Sequence, residues 1–164
     1  MAILDVLVFP NPVLREPAAK VTEFDNDLKR LVSDMWETMY LSKGVGLAAP
    51  QIGRLQKLFV SDWEGNKRVV INPEIVETEG MEINEEGCLS FPGIYEEVKR
   101  PSRVRIRYQD ENGELHEDTV EGHLARIYSH ESDHLNGKLL IDHLSALKRT
   151  FLRKKMSRKE RSRE

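Results

Sequence analysis

Cysteine is nearly absent: Cys88 is the only one in 164 residues. No intramolecular disulfide can form, so the fold must rest on an apolar core, and a reduced thiol suits the cytosol. No apolar run approaches the length of a helical membrane span. The segment Met1–Asp5 lacks the basic stretch and following apolar run of a signal peptide. No glycine fingerprint of a dinucleotide site or a phosphate loop is present, which removes two large enzyme classes. There is neither an internal repeat nor a low-complexity linker. These absences predict a single cytosolic domain with no membrane attachment.

What is present is ordinary in amount and uneven in distribution. Apolar residues make up 39% and charged residues 32%, and the net charge is −3. From Lys148 to Glu164 nine Lys/Arg face two Glu, a balance of +7 that leaves −10 for residues 1–147. An acidic body with a basic tail suits a polyanionic partner such as RNA. A merely solvated helix end has the same composition.

The opening segment, with Pro10, Pro12 and Pro17, reads as extended or looping chain. Leu28, Leu31, Val32, Met35, Trp36 and Met39 recur at helical spacing and predict a helix from about Asp25 to Tyr40, with Asp25 as N-cap. Strands are expected at Leu58–Val60, Val69–Ile71 and Glu74–Val76. Residues 85–93 are expected to form a loop or a strand edge. Val104, Ile106 and Tyr108 alternate with three arginines, as in a half-buried strand, and Asn112-Gly113 signals a hairpin leading to a strand that ends near Val120. A helix is expected from Gly122 to Leu135, stopped by Gly137, and a last helix from Asp142 or Leu144 onward. The order of elements predicts an α+β fold: antiparallel sheets packed around a central helix, with a C-terminal helix.

The central helix carries His130-Glu131-Ser132-Asp133-His134. Histidines four apart share one helix face and can ligate one metal ion. Glu131 is poorly placed as a ligand but within reach of a water on that metal, the layout of metal-assisted hydrolysis with a glutamate base. The third ligand decides the kind of hydrolase. A metzincin would place a histidine at position 140, which is Leu140, and no Glu lies between His134 and Glu160 for a thermolysin-like site. The protease readings therefore lose support. Cys88, Asp142, His143, His116 and His123 remain as third ligands. Of these, His123 lies roughly 10 Å along the helix from His130, and Asp142 and His143 would need a sharp reversal of the chain.

Three motifs together resemble one family. Gly44-Val45-Gly46-Leu47-Ala48-Ala49-Pro50-Gln51, Glu86-Gly87-Cys88-Leu89-Ser90 and His130-Glu131-Ser132-Asp133-His134 are similar, in order and separation, to the motifs of bacterial peptide deformylases, over residues 3–147. The resemblance implies hydrolysis of the N-formyl group from the formyl-methionine of nascent polypeptides, releasing formate. It implies Cys88, His130 and His134 as metal ligands, with Fe(II) first and Zn, Ni or Co also acceptable to that set. It implies Glu131 as proton shuttle, and the Gln51 amide and Leu89 backbone N–H as donors to the developing oxyanion. Gly44, Val45, Gly46 and Gly87 would line the peptide path, with Val45, Leu124 and Ile127 as pocket residues and Arg126 at the pocket rim. Tyr95 stands where some members have an arginine near the peptide path. A Glu86–Arg100 pair would hold the Cys88 segment, and Asp133 would orient a histidine.

The implied organisation is a catalytic domain over residues 1–147 and a basic helical tail over 148–164. The implied partners are the formylated nascent peptide and, through the tail, the ribosome. The chain is expected to act as a cytoplasmic monomer. Two rivals are a zinc endopeptidase and a catalytically inert, ribosome-associated metal protein.

Overall fold

The computed structural model describes residues 3–161, with side chains as far as Arg158. Helix α1 runs Asn26–Leu41, and the Asp25 carboxylate caps it by accepting from the Leu28 N–H at 3.0 Å. Its apolar stripe, with Leu28, Val32, Met35 and Met39 buried, packs against Leu58, Val60 and Ile71. The strands are β1 (Gly46–Ala48), β2 (Leu58–Trp63), β3 (Asn66–Glu79), β4 (Glu82–Cys88), β5 (Phe91–Arg100), β6 (Arg103–Gln109) and β7 (Leu115–Glu121). Five of them form an antiparallel sheet in the order β1-β2-β3-β6-β7, while β4 and β5 form a separate hairpin.

Helix α2 spans Gly122–Leu135, as expected, and packs on the sheet face opposite α1. Strand β2 is buried on both faces for this reason. Phe59 points to the α2 cluster with Val104, Ile106 and Tyr128, and its neighbours Leu58 and Val60 point to α1. Phe59 and Tyr128 meet edge to face at 5.5 Å between ring centroids. Gly137 (φ 72°) reverses the chain after α2, where a Cβ would overlap the Arg15 carbonyl. On β6, Val104, Ile106 and Tyr108 are buried, whereas Arg103, Arg105 and Arg107 face outward to Glu77, Glu79, Glu117 and Glu121. Such exposed pairs contribute little each.

The α+β architecture with a central helix and a C-terminal helix matches the expectation. Three local expectations need correction. The two short strands expected near Val69–Ile71 and Glu74–Val76 belong to one strand, β3, whose register shifts after Ile71. Asn72 sits there at φ 52°, and its side chain holds the Val21 N–H, the Val21 carbonyl and Gln109, each at 2.8 Å, so the bend is bolted down rather than a break. Residues 85–93, expected to form a loop or a strand edge, are mostly strand, the two arms of a hairpin that turns at Leu89-Ser90. Its strand β4 is exposed apart from Glu86 and Cys88, so it carries no alternating apolar signal.

The last helix, α3 (Ala146–Arg161), starts later than Asp142 or Leu144. Leu140–His143 form a 3-10 turn in which Asp142 accepts from the Leu139 N–H at 2.8 Å. Leu152 and Met156 of α3 are buried with Phe91, Ile94 and Val98 of β5, so the basic tail is half scaffold. Its Arg163 and Glu164 lie outside the described residues.

Candidate active site

The hairpin and α2 converge at one end of the sheet. His130 and His134 lie one turn apart on α2, both buried, with ring centroids 5.0 Å apart. Cys88, at the last position of β4, brings its Sγ to 3.4 Å from the His134 Nε2. One ligating atom from each of Cys88, His130 and His134 lies within 4.8 Å of the others. A thiolate with two imidazoles suits Zn, Fe(II), Co or Ni, so the donor chemistry fits a divalent metal. Burial, and then the neighbouring His130, pull the His134 imidazole well below its ordinary pKa.

The other ligand candidates are engaged elsewhere. His143 contacts Asp133 at 2.8 Å, and Asp142 holds Arg15 and the Leu139 N–H. His116 contacts Asp110 at 2.8 Å on the exposed β6–β7 hairpin, and His123 packs on Trp63 at 4.1 Å between ring centroids.

Glu86 organises the next layer. Its carboxylate contacts the His130 Nδ1 at 2.8 Å and accepts from Arg100 at 2.8 and 3.0 Å. This leaves the His130 Nε2 for a metal. Burial pushes the Glu86 carboxyl upward, but hydrogen bonds from His130 and Arg100 outweigh it and hold the group well below the usual carboxylate range. Asp133 does orient a histidine, but that histidine is His143, which is not among the clustered donors.

Glu131 is 5% exposed, and its Oε1 has no hydrogen-bond partner among the described residues. Burial raises its pKa to about 7. Its carboxylate lies directly over Gly46, where a Cβ would come to 2.6 Å of Oε2. Glycine at 46 therefore keeps the backbone and the carboxylate in contact. Gln51 is buried in a 3-10 turn, Ala49–Ile52, that follows β1. Its Oε1 accepts from the Ala48 N–H at 2.9 Å, and its Nε2 donates to the Ser90 hydroxyl at 3.1 Å and faces the Cys88 sulfur at 3.6 Å. Leu89 is half-buried at the hairpin turn.

A cavity of about 430 Å³ joins these groups. Gly44, Val45, Gly46, Gln51, Gly87, Leu89, Ile127, His130 and Glu131 all border it. Strand β1 is the edge strand of the large sheet, although Gly46–Ala48 are buried and the Ala48 N–H is already held by Gln51. Tyr95 lies over Gly87, where a Cβ would come to 2.7 Å of the ring. Leu124 is elsewhere: it packs on the core beneath the sheet, and His123 borders the cavity instead. The helical stripe His123, Ile127, His130, His134 would have indicated this. Arg126 also borders the cavity, but as a buried residue: it is 3% exposed, and both Nη atoms are hydrogen-bonded within the protein. The partnership of Ser90 with Gln51 also escaped the sequence reading, because hydroxyl contacts leave no periodic trace.

A buried glutamate beside a Cys/His/His cluster, at the end of a peptide-sized cleft, defines the arrangement of a hydrolytic enzyme. The family model for polypeptide deformylase matches residues 3–150. The peptide deformylase of Alkalilimnicola ehrlichii is 50% identical over 162 residues, covering 96% of this chain and 91% of that one. That of Thermotoga petrophila is 51% identical over 152 residues, covering 92% and 93%. The crystal structure of a peptide deformylase from Legionella pneumophila superposes with a TM-score of 0.94 at 45% identity, covering 99% of this chain and 98% of that one. The chain belongs to the polypeptide deformylase family and is an enzyme of that family.

Proposed function

We propose that this enzyme hydrolyses the N-formyl group from formyl-methionine at the start of nascent polypeptides, with a divalent metal held by Cys88, His130 and His134. The observation that carries the reading is the meeting of this donor set with the unpartnered Glu131 Oε1 on one cavity beside an edge strand. Fe(II) is the metal the family resemblance favours, and Zn, Ni or Co suit the same donors. A divalent ion there supplies the Lewis acidity that makes water nucleophilic near neutral pH.

The protein's own groups do the rest. The formylated peptide lies along Gly44–Gly46 as an added strand. Its methionine side chain enters the cavity near Val45 and Ile127, with Gly87 beside its path. Glu131 takes a proton from the attacking water as the new C–O bond forms at the formyl carbon, and returns it to the amine nitrogen as the C–N bond breaks. A pKa of about 7 suits both halves of that transfer. The growing charge on the formyl oxygen is met by the Gln51 Nε2–H, which gives up its long contact to sulfur, and by the Leu89 N–H. Formate and a free α-amine leave.

Incubation of the metal-loaded enzyme with formyl-Met-Ala and with a peptide that offers only internal bonds tests this reading. Formate release from the first alone is expected. Cleavage of internal bonds alone would establish the endopeptidase instead.

We further propose that the enzyme acts as a cytoplasmic monomer, with residues 1–147 catalytic and the basic tail meeting ribosomal RNA. Leu152 and Met156 are core residues, so deleting 148–164 would damage the fold along with the charge. The cleaner variant changes exposed Arg153, Lys154 and Lys155 to alanine. Ribosome co-sedimentation should weaken, with a salt slope shallower by up to about 3. Unchanged co-sedimentation at every salt concentration would remove the tail from the interaction.

A further inference from the structure

The three metal donors sit on two pieces of structure that share no backbone pairing. Cys88 belongs to the β4–β5 hairpin, which is not hydrogen-bonded to the five-stranded sheet, and both histidines belong to α2. Side chains link them directly, and one such link is Arg100 of β5, which pairs with Asp133 of α2 at 2.6 Å. Arg126, one turn before His130 on α2, reaches both strands of the hairpin. Its Nη1 donates to the Val98 carbonyl of β5 at 2.9 Å, and its Nη2 to the Glu82 carbonyl of β4 at 2.9 Å. Its Nη1 also pairs with the Glu86 carboxylate, whose other oxygen contacts the His130 Nδ1 at 2.8 Å. The guanidinium is 3% exposed, so these bonds form away from competing water.

We propose that Arg126 is a positioning residue of the metal centre. It fixes the hairpin that carries Cys88 against the helix that carries His130 and His134, and it holds Glu86 in line with the His130 ring. The proposal rests on the reading of those three residues as ligands. A planar fork is what the task requires: two carbonyls on different strands and one carboxylate cannot all be reached in fixed directions by an ammonium. An apolar residue at 126 would leave the Val98 and Glu82 carbonyls without this donor and Glu86 with one cation fewer.

The test uses Co(II) as a spectroscopic probe in the full-length protein, loaded anaerobically. Wild type, Arg126→Met, Arg126→Lys and Cys88→Ala are compared for their visible spectra and for the rate of Co(II) release to a chelator, below their melting temperatures. Arg126→Met is expected to release Co(II) about 10- to 100-fold faster, the range typical for loss of a group that orients a ligand, with altered ligand-field bands. Arg126→Lys, which keeps the charge on Glu86 but not the fork, is expected to fall between, about 3- to 10-fold faster than wild type. A lowered melting temperature with wild-type spectrum and release rate would mean a purely structural residue and would overturn the proposal. If Arg126→Met does not fold, Arg126→Lys decides alone, and a wild-type release rate in that variant refutes the idea. A Cys88→Ala protein with the wild-type Co(II) spectrum would instead overturn the ligand reading, and this proposal with it.

Discussion

Replacing Glu131 by glutamine is expected to lower kcat by about 10²- to 10⁴-fold while leaving the protein folded and metal-loaded. The side chain is 5% exposed and presses on Gly46, so an isosteric amide preserves the packing that a smaller residue would lose. What disappears is the capacity to hold a proton at Oε1, the oxygen that has no other partner among the described residues. Metal content separates this loss from the trivial one, since Glu131 is not among the clustered donors. Stability should move in the opposite direction from activity. Burial raises the carboxyl from 4.5 to about 7 in the fold, so ionising it costs stability as pH rises through that value. The neutral amide avoids the cost. Metal-free Glu131→Gln is therefore expected to be the more stable protein above pH 7, by up to roughly 3 kcal/mol from the size of the shift. The difference should vanish below about pH 4.5, where the wild-type carboxyl is protonated in both states. Urea unfolding at pH 8 and pH 4.5 measures it. More than a tenth of wild-type kcat in the glutamine variant would remove Glu131 from the proton path.

Helix α1 and strand β6 were legible in the sequence because each buries one face, and α2, buried on nearly all sides from Ala125 to Ser132, was legible from its histidine motif and the glycine that stops it. Helix α2 runs Gly122–Leu135 as expected, α1 differs from its expected bounds by one residue at each end, and β6 buries Val104, Ile106 and Tyr108 while its arginines face out. Elements that bury little left no such trace. Strand β4 exposes Glu82, Ile83, Asn84 and Glu85 in succession, so a polar hairpin resembles a loop. Strand β3 contains Asn72-Pro73, a pair that ordinarily ends a strand, and it continues because Asn72 borrows partners from Val21 and Gln109, 51 and 37 positions away. The same distance in sequence hid the role of Arg126, whose bonds reach back 28 to 44 residues to carbonyls that no side-chain pattern marks. Within the cavity, the helical register would have placed His123 beside Ile127 and turned Leu124 toward the core, had it been applied to α2 as strictly as to α1.

The buried charge cluster yields the second large effect. Glu86 is 6% exposed and is shared by Arg100, Arg126 and the His130 ring. Glutamine at 86 keeps the volume, but it offers one carbonyl where three donors converge and points an N–H₂ at another donor. Removing one member of a buried, hydrogen-bonded charge set generally costs about 3–5 kcal/mol, because the remaining charges stay buried without their counterion. A loss of that order in unfolding free energy at pH 7 is expected for metal-free Glu86→Gln.

The pH dependence carries the signature. Despite burial, hydrogen bonds from His130 and Arg100 depress the folded-state pKa of Glu86 well below its ordinary 4.5, so its contribution is complete above that value and is lost as pH falls toward the folded pKa. Asp133 is depressed in the same sense: burial raises it, but His143 and Arg100 outweigh that. The gap between wild type and Glu86→Gln should therefore be widest near neutrality and narrow steadily below about pH 4.5. Asp133 shares Arg100 with Glu86, so its acid sensitivity is present in both proteins but not equal in them. A gap that stays constant from pH 7 to pH 3, or one under about 1 kcal/mol at pH 7, would show that Glu86 fills space beside His130 rather than anchoring it electrostatically.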